Sequence, residues 1–386
     1  MDWRVPLADL EYGIEEETAV QNVLRSKWLT MGAITKAFEA QFSKYLGVKH
    51  AIAVSNATEA LHLACLALGV GPGDEVITPS LSFVATSNVV LYAGADVCFA
   101  DVIGVDDLTI DPEDIRKRIT SKTKAIIVMH YAGYPCKMKE ILSIAGEFNI
   151  PVIEDAAHSP GASLDGKLMG TLGTIGCFSF FSNKNLSTGE GGMLVTDSDE
   201  IAEKVKLMRS HGMTTLTYDR YRGHAYSYDV VDLGYNYRID EIRSALGIQQ
   251  LKKLAENNSL RKKWTEHYWH RLADSGVTLP FMNNEGNSAY HIFAIILPEE
   301  IDRKTFMDDL RAQGIQTSIH YPPTHSFTYY HSRYGDISLP ITEYISKHEV
   351  TLPLFPSMKR SQVNLVADSV INSIKSIKAS EHYHKV

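Results

Sequence analysis

At 386 residues the chain is longer than one hydrophobic core usually sustains, which predicts a large domain and a smaller one, and its 44% apolar and 22% charged residues suit an ordinary soluble globular protein. The formal charge of −8 is spread without a basic tract, which argues against nucleic acid or an anionic membrane as main partner, and no window offers the roughly 18 uninterrupted apolar residues of a membrane span. The start MDWRVPLADLEYG lacks the apolar core of a signal peptide, and Cys65, Cys98, Cys136 and Cys177 form no CxxC pair, so a reduced, cytoplasmic setting without a zinc site is expected.

WRVPL reads as a first strand-like segment, followed by a charged helix from about Glu15 to Ser26 and the loop KWLTMG. Phe38, Phe42 and Leu46 then mark one face of a second helix ending at Gly47. HAIAV (50–54) predicts a buried strand, and SNATEALHLACLALG predicts a helix directly after it, with Asn56 and Glu59 spaced as a capping box. A tight strand-to-helix turn leaves free backbone N–H groups at the positive end of the helix dipole. With the Thr58 hydroxyl beside it, this turn can hold a phosphate, although many such turns bind nothing. GVGPGD at Gly69 follows a helix, not a strand, and reads as a C-cap and turn, not as a dinucleotide fingerprint.

The alternation continues with the strand DEVITP, a helix from Phe83 to Tyr92, the strand DVCFADV, a helix from about Pro112, the strand AIIVMH, a helix from Met138 to Phe148 and the strand PVIEDAA. Short apolar strands separated by helices predict an α/β fold with a mostly parallel sheet covered on both faces. Ligands of such sheets sit outside the carboxyl ends of the strands, where Asn56, Phe83, Asp155 and His158 fall. A helix from Asp199 to His211, a tyrosine-rich stretch to Asp232 and a long amphipathic helix from LGYNYRIDEIRSALG onward follow. The strand AYHIFAIILP, a helix after Asp302, the segment IQTSIHYPPTH, the strand VTLPLFP and a last helix complete a smaller α+β C-terminal domain. The boundary is expected near residue 250, dividing the chain into 1–250 and 251–386.

One stretch carries a chemical signal: FSFFSNKNLSTGEGG (178–192), a buried aromatic strand that breaks into small polar residues around Lys184. Burial strips an ammonium of hydration and lowers its pKa, which makes the amine a nucleophile toward an aldehyde. A surface lysine in a loop is the alternative that this stretch leaves open. Pyridoxal phosphate would need, beside Lys184, an anion site, a carboxylate at its ring nitrogen, a stacking surface and a partner for its ring hydroxyl. The turn at Asn56–Thr58, Asp155, Phe83 and His158 could serve in that order. Each also has a plain structural reading, as an ordinary βα turn, a helix-capping acid, a core aromatic and a loop histidine.

VSNATEALHL, ITPSLSFVATSN, HYAGYP, EDAAHSPGA, SFFSNKNLSTGEGG, VDLGYNYRIDEIRSALG and IHYPPTH, in that order, resemble the DegT/StrS-type nucleotide-sugar aminotransferase family nearly end to end. That family consists of fold-type I pyridoxal phosphate enzymes. The resemblance implies that Lys184 carries the cofactor covalently and shuttles protons, that Asp155 pairs with the pyridinium nitrogen and that Phe83 stacks on the ring. His158, at a position where many members have Gln, is implied to contact the ring hydroxyl. Ala57, Thr58 and Ser179 are implied to cradle the phosphate, although many members carry Gly where Ala57 stands. Asn236 is implied to reach the phosphate of the other subunit of a homodimer, and Trp28, Tyr321 and His325 to line the sugar-nucleotide side.

The implied reaction moves an amino group from L-glutamate to a keto-sugar nucleotide, giving an amino sugar for surface polysaccharide, lipopolysaccharide or glycoconjugate. SLSFVATSN, HYAGYP and EDAAH resemble members acting on 4-keto sugars linked to UDP or dTDP; a 3-keto sugar is the alternative. A sugar dehydratase or deoxygenase of the same family is the nearest rival reading. Some such members replace the lysine by histidine, so its retention points to transamination. A non-catalytic pyridoxal phosphate-binding regulator would call for a helix-turn-helix or a basic patch, and neither is found. An α/β binding protein that used only the phosphate turn would leave the pairing of Asp155 with Lys184 unexplained.

Overall fold

The computed structural model describes residues 3–214 and 227–384 (for 380–384, the backbone alone). Two helices, α1 (Ile14–Ser26) and α2 (Ala33–Leu46), precede strand β1 (His50–Val54) and α3 (Ala57–Ala67). Then come β2 (Glu75–Pro79), α4 (Ala85–Tyr92), β3 (Asp96–Ala100), the hairpin β4 (Val102–Gly104) and β5 (Asp107–Ile110), and α5 (Pro112–Arg118). β6 (Thr123–Met129), α6 (Met138–Phe148), β7 (Val152–Asp155) and the two-residue pair β8 (Ser163–Leu164) and β9 (Lys167–Leu168) follow. β10 (Ile175–Ser179), β11 (Gly192–Thr196) and α7 (Asp199–Arg209) lead to a 32-residue helix, Glu241–Leu272.

Seven strands form one sheet in the order β1-β11-β10-β7-β6-β2-β3, and β11 alone runs antiparallel to its neighbours. The strands alternate as half-buried ribbons do, but here both faces are dry. In β6, Ile127 joins the core under α3, α4 and α7, while Ile126 and Val128 join the core under α5 and α6. At the other end of the sheet Phe178 and Phe180 pack edge-on against Phe42 of α2, their centroids 5.1 and 5.5 Å from its own. Expected boundaries hold closely. The helix expected from Phe83 starts instead at Ala85, and Phe83 remains outside it with 55% exposure.

WRVPL makes no strand of this sheet. Val5 forms an isolated bridge to Ile315 and buries itself in a second core. That core joins Trp264, Tyr268 and Leu272 of the long helix to β12 (Phe293–Ile296), β13 (Glu349–Leu352) and the helices Arg303–Ala312 and Arg360–His384. Position 250 lies within the long helix, and Gln250 is buried there, donating its amide to the backbone of Glu11 and to Glu16. GVGPGD forms the expected turn, with Gly69 and Gly73 in the left-handed region and Asp74 accepting from Gly71 N. Of the tyrosine-rich stretch, residues 215–226 lie outside the described residues. No helix among the described residues is long and apolar enough to cross a membrane.

Candidate active site

The carboxyl ends of β1, β2, β7 and β10 open on one edge of the sheet. Asp155 ends β7, held between Met129 of β6 and Cys177 of β10, and only 4% of it is exposed. Its Oδ2 accepts from Thr86 Oγ1 at 2.8 Å and its Oδ1 from Ala157 N at 3.2 Å; Ser82 Oγ lies 2.6 Å from Thr86 Oγ1. Burial raises the Asp155 carboxyl above the usual aspartate range, with these donors and the Lys184 charge acting against that rise. Its neighbour Glu154 points to the opposite face and is wholly buried. It accepts from His130 Nε2 (2.9 Å) and from the backbone N–H groups of Gly170, Leu172 and Gly173 (2.8, 2.7 and 2.5 Å). Burial alone would raise Glu154; the imidazole and the N–H groups outweigh it and hold the carboxyl below its ordinary value.

Lys184 follows β10 by a turn in which its N–H donates to Phe181 O. The residue is half-buried, but burial of its amino group brings its pKa down to about 8, against the pull of Asp155. Two histidines pack beside it with ring centroids 4.3 Å apart. His291 Nε2 is 3.5 Å from Lys184 Nζ. His158 Nε2 is 3.0 Å from the Tyr321 hydroxyl, and its Nδ1 is buried with no hydrogen-bond partner among the described residues. Burial, with the Lys184 charge next, keeps His158 uncharged at neutral pH.

At the end of β1, Asn56 Oδ1 accepts from Glu59 N at 2.9 Å and Asn56 O from Ala60 N. The N–H groups of Ala57 and Thr58 precede both of these donors and stand at the open N-terminus of α3. Ser179, at the end of β10, is 7% exposed and accepts from Phe181 N. Gly192 explains why the GEGG run belongs here. A Cβ on it would lie 2.5 Å from Asn56 C, 2.6 Å from Asn56 O and 2.7 Å from Ala57 N. β11 can therefore pass directly behind the α3 turn only with no side chain at that point.

The structure thus gathers Asp155, His158, Lys184 and Tyr321 into one cluster. Phe83 stands beside it, its ring 6.0 Å from that of Tyr321 and largely uncovered. Trp28 is half-buried against Gly32, where a Cβ would meet Nε1 at 2.5 Å. Asn236 is exposed on the segment after α7, bridged to Ser210. His325 is not part of the cluster. It is 4% exposed, its Nδ1 2.7 Å from Ser80 Oγ and its Nε2 3.5 Å from Glu343.

Sequence reasoning passed over His291, Thr86 and Asn185. Thr86 lies one turn into the helix whose start was read at Phe83, and His291 lies near the start of the segment AYHIFAIILP, just before β12. Asn185 adjoins Lys184 itself; only its position in a small polar loop hinted at a role.

Comparison with known proteins adds independent evidence. An uncharacterized protein of Methanocaldococcus jannaschii is 38% identical over 372 residues, covering 95% of each chain. Helicobacter pylori PseC, an aminotransferase involved in the biosynthesis of pseudoaminic acid, superposes with a TM-score of 0.90 at 30% identity, covering 97% of this chain and 100% of its own. The E coli GDP-4-keto-6-deoxy-D-mannose-3-dehydratase with bound hydrated PLP superposes with a TM-score of 0.88 at 28% identity, covering 96% and 100%. The profile of one family spans residues 11–371, from α1 into the last helix, and the chain belongs to that family, the DegT/DnrJ/EryC1/StrS aminotransferases.

Proposed function

We propose that the protein is a pyridoxal phosphate-dependent aminotransferase that moves an amino group from L-glutamate to a keto-sugar nucleotide, an NDP-4-keto sugar in the first instance. The observation that carries this reading is Lys184, whose amine lies 3.5 Å from His291 Nε2 in a cluster with His158 and the buried Asp155, where burial lowers its pKa to about 8. The residues present fit pyridoxal phosphate. A phosphate suits the open N–H groups of Ala57 and Thr58 and the Ser179 hydroxyl, and a ring hydroxyl would suit the partnerless Nδ1 of His158. Asp155 would hold the ring nitrogen, and Phe83 offers a free aromatic face. When bound, the cofactor supplies an electron sink that lets an amino acid lose its α-proton.

Lys184 does the proton work. Once free, its amine is part neutral at neutral pH, so it can take a proton from one carbon and return it to another within the same pocket, where proximity replaces diffusion. Asp155, itself held by Thr86 and Ala157 N, would face the ring nitrogen and favour its protonated form, which the electron sink needs. His158 stays uncharged and so adds no competing positive charge. Trp28 and Tyr321 are assigned to the sugar-nucleotide side. His325 supports that side through Ser80 and Glu343. The exposed Asn236 is assigned to a partner subunit's phosphate in a homodimer, and the product to glycan biosynthesis.

The test is a half-reaction. L-Glutamate added alone to the cofactor-loaded protein should release one 2-oxoglutarate per site and leave the amine form of the cofactor. A panel of keto-sugar nucleotides should then discharge it. No 2-oxoglutarate, with loss of a sugar hydroxyl in its place, would establish the dehydratase reading instead.

A further inference from the structure

The contact between Lys184 and His291 has a direction that the surrounding amides determine. Asn258 donates Nδ2–H to the carbonyl of Pro160 at 2.9 Å, an atom that can only accept, so Asn258 Oδ1 is the end facing Asn185. Asn185 Nδ2 donates both its protons, to Asn258 Oδ1 at 2.8 Å and to Ala289 O at 2.7 Å. Asn185 Oδ1 must therefore accept from His291 Nδ1, 2.9 Å away, which places the imidazole proton on Nδ1. His291 Nε2 is left with a lone pair, and the atom in front of it is Lys184 Nζ, at the outer edge of hydrogen-bond distance. The backbone carbonyl of His291 is tied down as well, accepting from the buried Arg261 at 3.0 Å.

We propose that His291 is a positioning residue for the active amine: its Nε2 accepts a hydrogen bond from Lys184 Nζ whenever that amine is free and holds it in the pocket in a fixed orientation. The inference rests on the aminotransferase reading for its purpose but not for its geometry. A neutral acceptor suits the task, because an imidazolium there would repel the ammonium. Burial pushes His291 well below the ordinary histidine range, and His158, Lys184, Arg261 and His320 around it push the same way. Among the described residues, Asp155 is the carboxylate whose charge acts on the amine. An acceptor stabilises the ammonium more than the neutral amine, so its loss should lower the Lys184 pKa.

The experiment uses the full-length protein freed of cofactor. Trace acetylation of Lys184 by acetic anhydride, quantified by mass spectrometry across pH, gives the midpoint of its titration. The wild type should titrate near 8. His291→Phe and His291→Asn, which cannot present an acceptor at the Nε2 position, should lower the midpoint by about one unit, the low end of a hydrogen bond to a charged group. His291→Gln, which restores an acceptor at that position, should stay within about 0.3 unit of wild type on the same scale. If the Phe or the Asn variant fails to fold, the other still contrasts with Gln; if the Gln variant fails, the wild type supplies the contrast. Equal midpoints in all proteins, or a shift in the Gln variant as large as in the Asn variant, would overturn the proposal. An unmoved midpoint with intact glutamate half-reaction sinks the His291 role alone; a moved midpoint without the half-reaction sinks the aminotransferase reading alone.

Discussion

Glu154→Gln is the substitution whose cost the structure defines best. The carboxylate accepts four hydrogen bonds in a site with no exposure: His130 Nε2 and Gly170 N on Oε2, and Leu172 N and Gly173 N on Oε1. An amide keeps one acceptor oxygen and turns the other end into a donor, so two of the four donors would face an N–H. His130 cannot relieve this by moving its proton, because its Nδ1 already accepts from Cys136 N at 3.2 Å. Two lost hydrogen bonds to a charged group amount to about 3–6 kcal/mol. With an unfolding entropy of roughly 2.1 cal/mol/K per residue, a chain of this length should lose about 4–7 °C in Tm. The same carboxyl predicts acid sensitivity. Its folded pKa lies below the ordinary glutamate value of 4.5, so its stabilisation is fully present above that value and is lost as pH falls through the folded pKa. Calorimetry at pH 7 and at stepwise lower pH, on wild type and variant, checks both claims. A variant that melts with the wild type at pH 7, or a gap between them that widens on acidification, would refute the reasoning.

Gly192→Ala should cost about 1–3 kcal/mol, since the three atoms nearest the new methyl are backbone atoms of the Asn56–Ala57 turn, which cannot swing aside as a side chain would. Because those atoms carry the α3 turn, the pyridoxal phosphate dissociation constant should also rise about tenfold or more, read by absorbance titration. Phe83→Ala removes an exposed ring and should leave the cofactor-free protein's stability within about 0.5 kcal/mol. It should still weaken pyridoxal phosphate binding about two- to tenfold, the value of one aromatic stacking contact. Equal binding by the Phe83→Ala protein and the wild type would remove Phe83 from the cofactor's surroundings.

The alternation of short apolar strands with helices and the Asn56 cap were legible in the chain because each rests on neighbours a few residues apart; Asp155 and Lys184 were each marked only by their own strand end. Lys184 drew notice through its local setting, an aromatic strand that breaks into small polar residues. WRVPL showed that it would be extended and buried but not against which element; its Val5 bridges Ile315, outside the seven-stranded sheet. His325 sits in a motif whose order is readable, yet its imidazole turned to Ser80, 245 residues away.

By itself the sequence determined the α/β pattern, the strand ends that carry Asn56, Phe83, Asp155 and Lys184, and the glycine run that ends in Gly192. Only the tertiary structure decided that Thr86 holds Asp155, that four donors converge on Glu154, and that Asn185 orients His291 toward Lys184. The reason is physical. A strand or a cap is a property of local backbone geometry, whereas the partner of a buried polar group is whatever packing brings within about 3 Å of it from elsewhere in the chain.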